Sequence, residues 1–100
     1  MARFDVYRLP GAKPRYVVDI QTEFLSHLAT RAILPLIPVG EIPGAVADLN
    51  PVVELVAGSF VVFTQLMAAV PKSDLKQVVA SLISYRDEIT RAIDLLLTGF

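Results

Sequence analysis

The chain has 100 residues, a length that fits a single domain spanning residues 1–100 with one hydrophobic core. It contains no cysteine, which excludes disulfides, thiolate metal sites and thiol nucleophiles. The formal net charge of −1 gives no long-range field for nucleic acid, so we expect no direct nucleic-acid binding by the chain alone.

Three short strands are predicted in the first forty residues. Residues 3–9 alternate in strand fashion, and residues 16–21 are β-branched and aromatic, so we expect these two segments to pair antiparallel. Residues 32–38 also have strand character, but proline has no N–H for the ladder. Pro35 and Pro38 therefore predict that this strand lies at an edge or contains a bulge.

The middle of the chain predicts a loop, a hairpin and a short strand. Residues 39–50 contain two glycines and a proline and are predicted to form a long loop. Residues 52–56 and 60–66 are apolar on both sides of a glycine-containing turn, which indicates a hairpin. Residues 67–70 are predicted to continue as a short strand.

Residues 84–100 predict a C-terminal helix. Ser84 followed by Asp87 resembles a capping box, and Gly99 stands where a helix end favours a left-handed residue. Leu95 and Leu97 flank the apolar stripe and widen it in the last turn, beyond what a solvated end needs. The stripe that we expect to face the core consists of Tyr85, Ile89, Ala92, Ile93 and Leu96. About five strands and one helix form an α+β, mostly β pattern, typical of a small barrel.

Between Arg31 and Lys72 the sequence has no lysine or arginine and three acids, Glu41, Asp48 and Glu54. With 54% hydrophobic residues overall, a chain of this size is expected to cover part of this segment in a homodimer interface. The longest uncharged run, residues 55–71, is shorter than the ~20 apolar residues of a membrane span. No secretory signal is visible, so we expect no membrane association and a cytoplasmic location.

The residues that carry chemistry give no catalytic pattern. His27 is the only histidine, and Asp87 and Glu88 point ~100° apart on the predicted helix, so they cannot share a proton. Asp19 interrupts an apolar strand and needs a partner, which we predict to be Arg31. No phosphate loop, metal-ligand spacing or nucleophile motif is present. The residues therefore predict a binding protein rather than an enzyme, with no metal and no cofactor.

Six segments, in order and at matching spacing, closely resemble the CcdB toxin family over essentially the whole chain. They are RYVVDIQT (15–22), TRAILPL (30–36), LNPVV (49–53), MAAVP (67–71), RDEI (86–89) and AIDLL (92–96), with the final Gly99 and Phe100. The resemblance implies an SH3-like, partly open barrel with a C-terminal helix, assembled as a homodimer. It also implies a toxin that binds the A subunit of DNA gyrase, traps the enzyme on cleaved DNA and is neutralised by a small antitoxin.

The resemblance also implies the binding residues. Thr98, Gly99 and Phe100 match the family's gyrase-binding end, where the best-known members have Trp-Gly-Ile. Loss of a buried Trp anchor typically costs ~2–4 kcal/mol of binding free energy. The positions that match the family's antitoxin contacts are Phe24, Leu25, Asp94, Leu97 and Thr98.

Two alternatives remain open from the sequence. One is an endoribonuclease toxin on the same barrel-plus-helix fold, for which Arg31 or Asp19 would be tested by alanine substitution. The other is a non-toxic CcdB-like protein that keeps only antitoxin binding, since Thr98 replaces the family's tryptophan.

Overall fold

The computed structural model describes residues 2–42 and 44–99, which form seven strands and one α-helix. The strands are β1 (Asp5–Arg8), β2 (Tyr16–Asp19), β3 (Thr30–Pro38), β4 (Val52–Leu55), β5 (Gly58–Val62), β6 (Ala68–Pro71) and β7 (Val78–Ser81), and they precede α1 (Arg86–Thr98). All strand pairs are antiparallel, in the order β4-β5-β3-β2-β1-β7, and β6 also pairs with β3. The sheet curls into a half-barrel, which confirms the predicted mostly β fold with a C-terminal helix.

Strand β3 holds the sheet together, and its prediction as an edge strand is wrong. It pairs with β2 along one side, and along the other with β6 over its first half and β5 over its second half. Pro35 lies between the two halves, opposite Val17 of β2. In an antiparallel ladder, hydrogen-bonded residue pairs alternate with pairs that are not hydrogen-bonded. The Ile20 N–H donates to the Ala32 carbonyl, so Ile20–Ala32 is a hydrogen-bonded pair. Counting back three pairs, Val17–Pro35 is not hydrogen-bonded. The missing N–H of Pro35 therefore faces the junction where β3 changes partners, so no bond between β2 and β3 is lost. On the junction side, the Pro35 carbonyl accepts from the Phe63 N–H at 2.9 Å.

Residues 56–57 form the turn of the β4–β5 hairpin, because Leu55 lies opposite Gly58. The turn therefore lies slightly earlier than the glycine-centred turn predicted. Gly58 begins β5 with a φ of +132°, a backbone conformation that other residues rarely adopt.

The main core lies between the concave face of the sheet and α1. Ile89 and Ala92 of α1 are fully buried there, and Tyr85 and Ile93 pack against the core cluster. The predicted stripe is confirmed at these four positions, but Leu96, its fifth member, is 37% exposed. A second, smaller cluster covers the other face of the sheet and consists of Tyr7, Val17, Ile33 and Leu75.

Helix α1 begins without the predicted capping box. A 3₁₀ turn over Ile83–Tyr85 leads directly into it, and the N-cap position is Tyr85, with no side-chain cap bond. The N–H of Tyr85 is satisfied by the carbonyl of Leu82 and that of Arg86 by Ile83, so a serine cap is not required. The C-terminal end is as predicted: Gly99 has a φ of +80°, and its N–H donates to the Leu95 carbonyl at 3.1 Å. No described helix has the length and apolar character to cross a membrane.

Candidate functional site

Phe24 and Leu25 lie in a 3₁₀ turn (Glu23–Leu25) that is fastened to the sheet by polar bonds. The Gln21 side chain donates from Nε2 to the Leu25 carbonyl at 2.9 Å and accepts from the Ala32 N–H at 3.0 Å. Thr22 caps the turn by accepting from the N–H of Phe24 at 3.4 Å. In this turn the Phe24 side chain is 87% exposed. Large exposed apolar side chains of this kind are typical of surfaces that a partner covers.

The last two turns of α1 carry three other predicted site residues, Asp94, Leu97 and Thr98. Thr98 donates from Oγ1 to the Asp94 carbonyl at 2.7 Å, so its hydroxyl is already satisfied within the helix. Leu97 is 66% exposed. Gly99 ends the helix, and Phe100 lies outside the described residues. The C-terminal turn is therefore apolar and solvent-facing, as the widened stripe predicted.

These two groups of residues lie on separate elements, and the segment that links the elements in space carries further exposed apolar residues. Helix α1 packs against the 3₁₀ turn Thr64–Leu66, which leads directly into β6. Beyond β6, Lys72 donates from Nζ to the Ser26 carbonyl at 2.8 Å, next to the 23–25 turn. We call the resulting series the apolar band; it consists of Phe24, Leu25, Leu66, Ala68, Ala69 and Leu97.

Asp19 and Arg31 form the predicted ion pair. Both side chains have 0% exposure, and the Asp19 Oδ2 accepts from Arg31 Nε at 3.0 Å and from Nη2 at 2.5 Å. Oδ1 accepts the N–H of Gln21 at 3.0 Å, whereas Arg31 Nη1 has no hydrogen-bond partner among the described residues. The pair is sealed from solvent and therefore serves the sheet rather than an exposed reaction site.

Burial raises the pKa of the nearby Tyr7 phenol above its ordinary value of 10.0. The negative charges of Asp5 and Asp19 raise this pKa further, and the positive charge of Arg31 opposes them. Tyr7 is therefore neutral at physiological pH and does not act as a base there.

A groove of about 590 Å³ between α1 and the loop before β4 was not predicted from the sequence. The loop is held by Asn50, which accepts from the Val46 N–H at 3.0 Å and donates to the Val62 carbonyl at 3.1 Å. Tyr85 closes one side, its hydroxyl accepting the Glu54 N–H at 3.2 Å. In the sequence, the one sign of this groove is a single asparagine, Asn50, within a largely apolar segment, where it would need hydrogen-bond partners if buried. The groove is lined by Ala47, Asp48, Pro51, Val52, Tyr85, Glu88, Arg91 and Leu95.

The acidic and imidazole side chains considered from sequence do not converge. His27 is exposed in the segment before β3, and Asp87 and Glu88 are exposed at the start of α1. Glu88 lies 4.0 Å from Arg91, and Asp87 lies 3.8 Å from Arg86. Within the described ranges, no three histidine, cysteine or acidic side chains come together to hold a metal ion.

The fold is similar to that of two solved structures. "Mycobacterium tuberculosis toxin MazF-mt6" is 19% identical, with a TM-score of 0.71 over 90% of this chain and 92% of that chain. "Endoribonuclease in complex with its cognate antitoxin from Mycobacterial species" is 14% identical, with a TM-score of 0.78 over 97% of this chain and 94% of that chain. At these identities the likeness establishes a shared fold.

This likeness corrects one prediction from the sequence. We expected that the chain is not an enzyme because it lacks a catalytic motif, yet a structure with the same fold is named an endoribonuclease. The missing motif therefore does not exclude catalysis on this scaffold.

The search of curated proteins finds no match. A family model described as "CcdB protein" matches residues 3–99.

Proposed function

Because the chain belongs to the CcdB protein family, we propose that it is the toxin of a toxin–antitoxin pair and that its target is the A subunit of DNA gyrase. The observation that carries this proposal is the family match, which runs through the sheet and through α1 to Gly99. The protein acts in the cytoplasm in this proposal, where gyrase and its DNA are found.

The gyrase contact in this proposal is the C-terminal end, Thr98, Gly99 and Phe100, supported by the exposed Leu97. Thr98 cannot supply a large apolar anchor, because its side chain is short and its hydroxyl is bonded to Asp94 within the helix. In this proposal the apolar anchor comes from Leu97 and Phe100, the large apolar residues next to Thr98 in the sequence. Gly99 matters because its left-handed conformation turns the chain away from the helix axis.

The antitoxin contact in this proposal uses Phe24, Leu25, Asp94, Leu97 and Thr98. Phe24 and Leu97 are the most exposed large apolar side chains of this set, which suits a partner that folds as it binds. Leu97 and Thr98 serve both partners, so the antitoxin would neutralise the toxin by competing directly for the gyrase contact.

A truncation after Leu97 tests the gyrase proposal. The buried part of α1 ends before this point, so the truncated protein is expected to fold, and to lose the trapping of cleaved DNA by at least ~10-fold. The measurement is the amount of linear plasmid released by denaturant from mixtures with purified gyrase. Val39→Ser, which removes an exposed apolar side chain elsewhere, is the matched control. A folded truncation with undiminished trapping would refute the assignment of the contact.

A second candidate function is an endoribonuclease toxin, favoured by the fold shared with the mycobacterial endoribonuclease. Purified protein that cleaves single-stranded RNA and leaves gyrase unaffected would replace the gyrase proposal. Alanine at Asp19 or Arg31 is unsuited to this test, because both side chains are buried and their loss would act through stability.

A further inference from the structure

The half-barrel leaves a seam between β4 and β7, where a small apolar cavity opens. Strands β4 and β7 stand at opposite ends of the sheet order, and the outer edge of β7 pairs with no other described strand. The turn after β4 and the bulged middle of β7 approach each other across the seam. Between them lies a cavity of about 250 Å³, lined by Tyr16, Leu55, Val56, Ala57, Val79 and Ala80.

Four cationic residues gather at the end of the sheet that borders this cavity. Arg8 lies directly opposite Tyr16 in the β1–β2 ladder, so the two side chains share one face of the sheet. The Arg8 N–H donates to the Gln77 carbonyl at 3.4 Å, which places Lys76 beside the end of β1. Lys13 and Arg15 belong to the loop that joins β1 to β2, closed by the Leu9 N–H on the Arg15 carbonyl at 2.8 Å.

These four charges have no described counter-ions. The ion pairs among residues 2–42 and 44–99 involve other basic residues: Arg31, Arg86 and Arg91. The four therefore concentrate a formal +4 at one end of a chain whose net charge is −1. We call Arg8, Lys13, Arg15 and Lys76 the basic end; its field favours an acidic partner.

The surroundings of the basic end favour a peptide over a nucleic acid. The cavity is lined mainly by aliphatic side chains, which accept the apolar side chain of a peptide but offer little stacking surface for bases. The unpaired edge of β7 presents main-chain groups that an extended segment can bond. Val56 and Val79 are exposed at the rim, where a bound segment would cover them.

We propose that the seam between β4 and β7, together with the basic end, binds an extended peptide segment of the antitoxin in which acidic and apolar residues alternate. One apolar side chain enters the cavity, and the flanking carboxylates face Arg8 and Lys13. This site is separate from the apolar band, and its assignment to the antitoxin rests on the proposed toxin function.

The test uses the full-length chain, labelled with nitrogen-15, and a capped synthetic peptide of eight residues that alternates glutamate and valine. We expect the peptide to shift the amide signals of Tyr16, Ala57, Val79 and Ala80. Arg8→Glu and the loop variant Lys13→Glu should each weaken binding about three- to tenfold, and raising the salt should weaken it further. The matched control is Arg86→Glu at the start of α1, which should leave the affinity unchanged.

Three results would overturn the proposal: equal binding of a peptide with lysine in place of glutamate, shifts confined to α1, or tighter binding of a 12-nucleotide single-stranded RNA at the same amides. Trapping of cleaved DNA by gyrase is measured on the same preparation. An active toxin that does not bind the peptide would refute this site alone, whereas peptide binding without gyrase trapping would leave the site and remove the gyrase proposal.

Discussion

At the scale of single residues, the sequence predicted both members of one buried ion pair, Asp19 and Arg31. A carboxylate within an apolar strand needs a cation, and the structure pairs it with Arg31 across the β2–β3 boundary, both side chains at 0% exposure. The unbonded Nη1 of Arg31 means that Asp19 supplies all the described hydrogen bonds of this guanidinium. Asp19 is consequently hard to replace.

Asp19→Asn is expected to lower the free energy of unfolding by about 3–5 kcal/mol, because it leaves a buried guanidinium without its counter-charge. Thermal unfolding should show a fall in Tm of about 12–40 °C. The same substitution at the exposed pair, Asp87→Asn, is the control and should change stability by less than about 0.5 kcal/mol. Equal effects at the two positions would contradict the buried-pair assignment.

Tyr7→Phe is expected to change the pH dependence of stability. Burial first, then Asp5 and Asp19, raise the pKa of Tyr7 above 10.0, so the folded protein holds this proton more tightly than the unfolded chain. The contribution is complete below about pH 10 and is lost as the pH rises beyond it. Urea unfolding at pH 8 and 10.5 should show a steeper loss for the wild-type protein than for Tyr7→Phe. Parallel profiles would mean that Tyr7 titrates equally in both states.

At the scale of elements, α1 separates residues that stabilise from residues that are free to bind. Ile89 is fully buried in the main core, and Leu97, two turns later, is 66% exposed. Both are large aliphatic residues of one helix, so they form a matched pair for substitution.

Ile89→Ala is expected to lower the free energy of unfolding by about 2–5 kcal/mol, through lost burial and the cavity that remains. Leu97→Ala should change it by less than about 0.5 kcal/mol and should instead weaken gyrase trapping. Chemical denaturation and the plasmid assay measure the two effects separately. A strongly destabilised Leu97→Ala would show that this side chain packs in the folded protein.

Local patterns in the sequence predicted the elements that local chemistry controls. Helical spacing identified the buried face of α1, and a glycine after the last turn identified its end. One error is local, since the Ser84–Asp87 capping box does not form. The larger errors concern long-range pairing. Pro35 and Pro38 indicated an edge strand or a bulge, but the lost N–H of Pro35 falls at the junction where β3 changes from β6 to β5. The groove beside α1 depends on Asn50 reaching Val62 and Gln65, a contact that sequence order does not reveal.

At the scale of the whole molecule, the residues of the apolar band are exposed to solvent in a single copy of the chain. Leu66, Ala68 and Ala69 of this band belong to the segment without positive charges, where the sequence predicts a homodimer interface. We keep the homodimer as a proposal, and we place its interface on this part of the band.

The chain is expected to be a dimer in light scattering at micromolar concentration, and Leu66→Glu should shift it towards monomer because the charge would be buried in the interface. Val46→Glu is the control, because Val46 is also an exposed apolar residue but does not belong to the apolar band; this variant should remain dimeric. A monomeric wild-type protein at this concentration would contradict the proposal.

The pairing of the first strand with the last has a consequence for when the protein can fold during its synthesis. The first strand, β1, pairs with the last strand, β7, and the core around Val6 is completed by Leu82 and Ile89 near the end of the chain. Contacts between residues so far apart in sequence form late in folding. A nascent chain that has not yet been synthesised beyond residue 81 lacks Leu82, Ile89 and α1 and therefore cannot complete this core, so the proposed toxin function requires synthesis to have passed α1.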